Sequence, residues 1–345
     1  MVDIKFDLWD ISIIPTIQSD IGSRSECDVT YGGLLPLMAA PMDTVVCEKN
    51  FERYIKEGII PCIPRGTILS RSAQIYNRFL YFQAFGLSEI EEQLNSSETS
   101  IFHFYKYDNV LIDIANGHMQ RLVDVVKEIK EKYPTIKLMV GNVGNPLTYK
   151  NLAMAGADYV RCSIGTGAGC TTAANVAINY PLGSLISECK AIKEENEYTT
   201  KIVADGGMQG YDDIFKALAL GADYVMIGSL FNKTMQSAGH NYLWRIKIPY
   251  DIAKTLWKWG FPIKKKYRGM STKAVQRKWG KTKLVTAEGI TKYQKVEYNL
   301  SQWVENFEDY FKSNMSYCGA RNLKEFIGEA EWVFITQNSL KRFQK

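Results

Sequence analysis

Eight short apolar runs recur along most of the chain. They occupy residues 34–39, 59–63, 82–85, 110–114, 137–140, 159–163, 201–204 and 224–227. Runs of this length are typical of buried strands. The stretches between them have helical spacing, as in residues 119–133, where Leu122, Val125, Val126 and Ile129 share one face. Strands that alternate with helices pair in parallel, so the pattern predicts an α/β fold.

Eight strand–helix units fit a closed (β/α)8 TIM barrel, although an open doubly wound sheet gives a similar count. A weak internal repeat favours the barrel, because AGADYV at residues 155–160 is echoed by LGADYV at residues 220–225. Glycine is also a common way to end any helix before a strand, so the echo supports the barrel without proving it. A single barrel domain over residues 1–345 is preferred to two domains, since such barrels often exceed ~250 residues.

Two segments after the eighth run interrupt the alternation of strands and helices. Residues 239–266 are aromatic and basic, and we interpret them as an insertion. Such a composition can bind nucleic acid or an anionic membrane, but a surface helix that docks its tryptophans (Trp244, Trp257, Trp259) on the barrel is the more frequent explanation. Residues 272–287 are predicted to form a mobile flap.

Composition narrows the classes of function. A net charge of +5 and three histidines indicate neither nucleic-acid binding nor a histidine-built metal site. Seven cysteines without CxxC pairs favour reduced thiols. No signal pattern is present, and no apolar run reaches the ~18 residues that cross a bilayer. We therefore expect a cytoplasmic protein that binds a small molecule, with no nucleic acid and no membrane as partner.

In a barrel, function lies on the loops that leave the carboxyl ends of the strands. After the sixth run comes GTGAGCTT, residues 165–172, which places Cys170 beside two threonines. Glycines let backbone groups converge on a ligand or ion, and a thiol there can be activated. A flexible turn with an incidental cysteine is the alternative explanation of this segment alone.

The seventh and eighth runs are followed by a possible phosphate cradle. Residues 205–207 read Asp-Gly-Gly, and Gly228 and Ser229 follow the next run. Barrels commonly bind phosphate here, and a carboxylate beside open amides could hold a ribose hydroxyl. Asp-Gly-Gly is also an ordinary turn. The phosphate cradle is predicted because the two glycine-containing segments follow neighbouring strands. After the fourth run, Asp113 precedes a loop in which His118 is given no role.

Eight segments together resemble the IMP dehydrogenase and GMP reductase family. They are APMDTV (40–45), DIANG (113–117), GNV (141–143), GTGAGCTT (165–172), DGG (205–207), YRGMS (267–271), AEG (287–289) and YCGA (317–320). They stand in family order across nearly the whole chain. Chance agreement of eight ordered motifs is negligible, so the chain is identified as a member of this superfamily, which implies the TIM barrel.

The resemblance implies covalent chemistry at a purine nucleotide. Cys170 would attack purine C2 to form a thioimidate, Thr172 and Glu288 would relay protons, and a nicotinamide stacked on the purine would exchange hydride with that carbon. The chemistry is reasonable, because C2 lies between two ring nitrogens and a thiolate is both a strong nucleophile and a competent leaving group.

The resemblance also implies binding residues. Substrate would contact Asp205, Gly206, Gly207, Gly228, Ser229, Gly269, Met270, Ser271 and Met42. The nicotinamide cofactor would contact Asp113, Ile114, Ala115, Arg65, Ile164 and Gly165. A monovalent cation, usually potassium in the family, would bind the backbone carbonyls of Gly165, Gly167 and Cys170. Family barrels usually form tetramers, so a homotetramer is expected.

Two differences favour the reductase over the dehydrogenase. Dehydrogenases typically carry a CBS pair after the second strand and an Arg-Tyr pair on a long flap, whereas residues 63–82 are too few for the former and residues 271–288 lack the latter. The resemblance thus implies that NADPH reduces GMP to IMP and ammonia. Two alternatives stay open: an IMP dehydrogenase without CBS domains that uses NAD to make XMP, and a non-catalytic purine-nucleotide-binding relative.

The chain departs from the family pattern at three positions. A phosphate-binding serine is Ala168, an arginine after the two threonines is Ala173, and a substrate-contacting arginine is Val285. Residues 264–266 or Arg268 could supply the missing charge, or the substrate could be a modified purine nucleotide. Arg65 replaces the usual His-Lys region, so the choice of NADPH over NAD rests on resemblance alone.

Overall fold

The protein is a closed barrel of eight parallel strands. The computed structural model describes residues 4–67, 69–70, 72, 79–96, 103–278, 286 and 288–343. The barrel strands, in chain order, are Leu37–Ala39, Ile60–Ile63, Phe82–Phe85, Asn109–Asp113, Lys137–Val143, Tyr159–Cys162, Lys201–Asp205 and Tyr224–Ile227. Leu37 pairs with Val225, so the first strand closes on the eighth. The predicted (β/α)8 barrel is confirmed, and the open sheet is excluded.

The strands are predominantly apolar because both of their faces are covered. Met38, Leu111, Met139, Val203 and Met226 point into the barrel and form one interior cluster. Their neighbours along the strands belong to a larger cluster beneath the surrounding helices. The continuous apolar runs of the sequence are the consequence.

Helices cover the outside of the barrel. Those of nine or more residues that pack around it are Leu87–Asn95, Gln120–Lys132, Pro146–Met154, Leu182–Glu195, Tyr211–Ala219 and Leu300–Cys318. The shorter ones are Phe51–Lys56, Thr172–Val176, Ser229–Asn232, Lys273–Lys278, Leu323–Phe326 and Gln337–Phe343, with 3-10 turns at Leu8–Asp10, Arg24–Glu26 and Phe104–Lys106. The helix predicted over residues 119–133 is present, and its four apolar residues are buried. Within the described ranges, none of the helices combines the length and apolarity that a membrane span requires.

The inserted segment forms a sheet of its own outside the barrel. Its antiparallel strands are, in spatial order, Ile246–Ile248, Asn241–Leu243, Ile263–Arg268 and Thr291–Lys295. The helix Tyr250–Lys258 packs on this sheet through Ala253, which shares a small core with Ile263 and Val296. A separate pair of antiparallel strands, Ile11–Ile13 and Trp332–Phe334, joins the two ends of the chain.

The tryptophans of this segment do not dock on the barrel, so that expectation is wrong. Trp244 and Trp259 are 70% and 73% exposed, and Trp257 packs in the small core of the inserted sheet. The segment has its own apolar core, which removes the need to bury these rings elsewhere. The bounds of the insertion (239–266) and of the flap (272–287) stay predictions. Of the flap, residues 279–285 and 287, including Val285, lie outside the described residues.

The final long helix provides a test of the packing. Phe311 is fully buried on Leu300–Cys318 and packs against Phe215 and Phe326, with ring centres 5.0 Å and 5.1 Å away. We expect Phe311→Ala to lower the free energy of unfolding by about 3–5 kcal/mol, because it removes buried surface and leaves a cavity. Urea denaturation measures this. Tyr317→Ala, at a 68% exposed position of the same helix, is the control and should change stability by less than about 0.5 kcal/mol. Equal effects of the two would contradict this packing.

Candidate active site

The thiol of Cys170 begins a chain of hydrogen bonds at the carboxyl end of the barrel. Its Sγ donates to Thr172 Oγ1 at 3.2 Å, and that hydroxyl donates to Glu288 Oε2 at 2.6 Å. Thr172 is the first residue of the helix Thr172–Val176, which fixes its position relative to the loop. The three groups are half-buried. They form a continuous path for a proton from sulfur to carboxylate, although Glu288 lies 116 residues after Thr172.

Backbone contacts hold the two ends of this relay together. Cys170 and Gly289 pair as a short antiparallel bridge, in which the Thr171 N–H donates to the Glu288 carbonyl at 2.9 Å. A Cβ atom on Gly269 would lie 2.5 Å from the carbonyl oxygen of Gly169. Glycine is therefore required where the three chain segments converge.

A buried cluster of charges lies below the mouth of the barrel. Arg161 Nη1 donates to Asp113 Oδ1 at 2.6 Å and Nη2 donates to Asp205 Oδ2 at 2.8 Å, with only 7% of the arginine side chain exposed. Asn142 Nδ2 also donates to Asp205 Oδ2, at 2.7 Å. Burial alone would lower the pKa of Arg161, but Asp205 and Asp113 outweigh it and raise the pKa above its ordinary value. The arginine thus stays charged and forms ion pairs with both carboxylates.

The glycines after the seventh and eighth strands surround a narrow space. Gly206 and Gly207 have φ of +82° and +86°, the left-handed region that favours glycine. A Cβ on Gly228 would lie 3.0 Å from Met42 Sδ and 3.2 Å from Tyr267 Oη. The ends of the first and eighth strands thus meet the outer strand that carries Tyr267, whereas Gly206 and Gly207 lie against Thr166 of the loop that carries Cys170. Ser229 starts the short helix that follows.

A lysine that the sequence had not singled out lies beside this space. Lys292 pairs with Tyr267 across the outer sheet, and its Nζ lies 5.4 Å from the centre of the tyrosine ring. Burial and the nearby charge of Lys233 lower the pKa of Lys292. Among the described residues it has no carboxylate partner. It is therefore a half-buried cation that an anion would stabilise.

The sequence suggested that residues 264–266 or Arg268 replace the missing positive charge. The structure gives these residues surroundings that differ from one another. Arg268 forms an ion pair with Asp43, which neutralises it. Lys265 is fully buried under the inserted sheet, and Lys264 is exposed on its surface. Lys266 is half-buried and lines a small cavity that also contains Asp43 and Arg268.

The remaining predicted residues lie on loops at the same end of the barrel: Arg65, Ile114, Ala115, Ile164, Gly165, Gly167, Met270 and Ser271. Ser271 Oγ lies 3.0 Å from the Cβ position of Gly289, so it borders the relay. The guanidinium of Arg65 packs over Gly86, at the end of the third strand and across the barrel from the sixth. Contacts thus place Ser271 beside Cys170, whereas Arg65 lies on the far side of the mouth.

His118 connects two loops instead of facing the relay. His118 Nε2 accepts from the Gly144 N–H at 3.0 Å, and Nδ1 lies 2.8 Å from Thr148 Oγ1. Burial lowers its pKa, which favours the neutral ring. Sequence reasoning missed Arg161, Asn142 and Lys292. An arginine within the apolar run YVRC was a usable signal, because a buried arginine requires partners.

Comparisons with known proteins agree on one family. Residues 90–344 match the model described as "IMP dehydrogenase / GMP reductase domain". The GMP reductase of Shouchella clausii is 30% identical over 99% of this chain and 98% of its own length, and GMP reductase 2 of Homo sapiens is 26% identical over 97% and 95%.

The dehydrogenases among the relatives match over a shorter stretch. Inosine-5'-monophosphate dehydrogenase of Chlorobaculum parvum is 37% identical over 68% of this chain but only 46% of its own length. The chain thus spans about half the length of the curated dehydrogenases that it matches. The chain belongs to the IMP dehydrogenase and GMP reductase family.

Proposed function

We propose that this protein is an oxidoreductase that converts GMP to IMP and ammonia with NADPH. The observation that carries the proposal is the hydrogen-bonded path from Cys170 through Thr172 to Glu288 at the barrel mouth. Relatives named GMP reductase align over nearly their whole length, which supports the reductase in preference to the dehydrogenase.

The relay suits nucleophilic attack on purine C2. The Cys170 proton passes through Thr172 to Glu288, and the sulfur attacks C2 while the exocyclic C2–N bond breaks. Glu288 returns a proton to the departing nitrogen, which leaves as ammonia. A bound nicotinamide supplies the hydride that C2 requires. The C2–S bond then breaks, which releases IMP and a thiolate, and a proton from solvent restores the thiol of Cys170.

The charges below the mouth would orient the substrate. Arg161 and Asn142 hold the Asp205 carboxylate in place, so that it can accept hydrogen bonds from ribose hydroxyls. The phosphate would enter the space bounded by residues 206–207, Gly228 and Ser229, where Lys292 supplies the positive charge. Met42, Gly269, Met270 and Ser271 would border the base.

Residues at the ends of the second, fourth and sixth strands have groups that would fit a nicotinamide nucleotide. A guanidinium such as that of Arg65 suits phosphate groups. Asp113 is anchored by Arg161 beside the exposed Ala115, and Ile164 and Gly165 complete the proposed contacts. These residues fit either NADPH or NAD.

The carbonyls proposed for potassium also remain compatible with it. The Gly167 carbonyl accepts from the Cys170 N–H at 2.8 Å, which occupies one of its two lone pairs. Carbonyl oxygens can replace the hydration shell of such an ion. With Gly165 and Cys170 they would anchor the loop that carries the nucleophile. Tetrameric assembly and a cytoplasmic location stay predictions.

IMP dehydrogenase activity is the second candidate, favoured by the 37% identity over 237 residues to a dehydrogenase. Absorbance of the reduced nicotinamide separates the two. We expect NADPH oxidation with GMP, with IMP and ammonia as products, and no reduction of NAD with IMP. Reduction of NAD alone would select the dehydrogenase, and no reaction in either mixture, with GMP still bound, would select a non-catalytic relative.

Two single-cysteine variants test the assigned nucleophile in this assay. Cys170→Ala should abolish turnover but keep GMP binding, because the covalent step and the binding contacts are separable. Cys318→Ala alters another half-buried thiol, far along the chain, and should keep activity. Turnover in Cys170→Ala would refute the assigned nucleophile.

The relay itself can be tested at its middle residue. Thr172→Val keeps the shape but removes the hydroxyl, so we expect kcat to fall by about 10²–10⁴-fold with little change in KM for GMP. Thr171→Val is the matched control, because the Thr171 side chain makes no capping hydrogen bond to the helix and only its backbone contacts Glu288. If both variants keep wild-type kcat, Thr172 does not carry the proton.

The role of Lys292 predicts an effect on binding. Lys292→Met removes a charge-assisted contact to phosphate, so we expect KM for GMP to rise by about 10-fold or more while kcat changes less. Lys295→Met, at an exposed position of the same strand, should leave KM unchanged. Lys292→Arg should restore most of the affinity. An unchanged KM in Lys292→Met would place the phosphate elsewhere.

A further inference from the structure

A second cavity lies outside the barrel mouth, between the inserted sheet and the loop before helix Phe51–Lys56. It has a volume of about 650 Å³, within the range of about 300–1,000 Å³ that is typical of small-molecule sites. The lining residues that matter here are Lys49, Arg53, His240, Asn241, Lys247 and Lys265. None of them belongs to the proposed substrate or cofactor site.

The cavity concentrates positive charge. Lys49, Arg53, Lys247 and Lys265 line it, and Asp251 is the one carboxylate among its lining residues. In the part of the chain that the structure describes, these four cations form no ion pair. Like charges that converge without counter-ions repel one another, so an anion in the cavity would be stabilised.

The neighbours of the two rim cations are neutral. Arg53 Nη1 donates to Tyr250 Oη at 2.9 Å, and Lys247 Nζ lies 3.3 Å from His240 Nε2. Burial, followed by the charge of Lys247, lowers the pKa of His240, which favours the neutral ring, whose unprotonated nitrogen can accept from the lysine. Both cations are thus held in position without losing their charge.

Lys265 lies beneath the cavity and is fully buried. Its Nζ donates to the carbonyls of Ser237 at 2.6 Å and Gly239 at 3.4 Å, in the loop that forms one wall. Burial lowers its pKa to about 7; Cys47 opposes this shift and Arg53 adds to it. A buried ammonium without a carboxylate is costly, and an anion above it would reduce that cost.

We propose that this cavity binds a phosphorylated small molecule. Its phosphate would lie between Arg53 and Lys247, over Lys265. The site is separate from the barrel mouth, and the proposal holds whichever reaction the relay performs.

Inorganic pyrophosphate is a suitable probe, and calorimetry at low salt measures its affinity. We expect the double variant Arg53→Gln/Lys247→Gln to weaken binding by about tenfold or more, since it removes two charge-assisted contacts. Both side chains are exposed, so the fold should persist. Lys254→Gln, an exposed lysine on helix Tyr250–Lys258 that does not line the cavity, is the control and should bind as the wild type does.

A second readout locates the bound probe. Cys47 lines the cavity, so saturating pyrophosphate should slow its alkylation by iodoacetamide, mapped by mass spectrometry, in the wild type and not in the double variant. Equal affinity in all three proteins, or unchanged alkylation of Cys47, would place the probe elsewhere and overturn the proposal. Absence of binding to the wild type would also overturn it.

Discussion

One buried guanidinium joins the ends of four neighbouring barrel strands. Arg161 on the sixth strand holds Asp113 on the fourth and Asp205 on the seventh, while Asn142 on the fifth completes the contacts to Asp205. Removing one partner of a buried pair typically costs about 3–5 kcal/mol, because the other charge is left without compensation. The positions of both aspartates at the barrel mouth therefore depend on this one side chain.

Backbone contacts hold the reactive groups in place above this buried charge cluster. Glycines at positions 169, 269 and 289 let three segments approach more closely than side chains would allow. The loop of Cys170 is thereby bridged to the segment that carries Glu288, and Thr172 spans the remaining gap. The main chain thus sets the positions of the reactive groups, and three side chains perform the chemistry.

The sequence predicted most of the barrel because its signals are local. The eight strands lie where the apolar runs are, with small differences: the first strand begins at Leu37, after Pro36, which lacks an N–H, and the fifth extends to Val143 through Gly141 and Asn142, which interrupt the apolar run.

Features that depend on distant pairing were not predictable in the same way. The position of Lys292 beside Tyr267 follows from strand register, and the exposure of Trp244 follows from a small core built by residues on both sides of it. A sequence motif identifies the reactive residues within one loop. It does not reveal which cation lies opposite, because that depends on the folded sheet.

The relay joins residues that are 116 positions apart, Thr172 and Glu288. Contacts of such long sequence separation form slowly, because closing the long intervening loop costs entropy. A nascent chain that has not yet reached Glu288 therefore contains the cysteine and the neighbouring hydroxyl without the carboxylate that would take the proton. The assembled reactive centre is a property of the completed barrel, and incompletely folded molecules lack it.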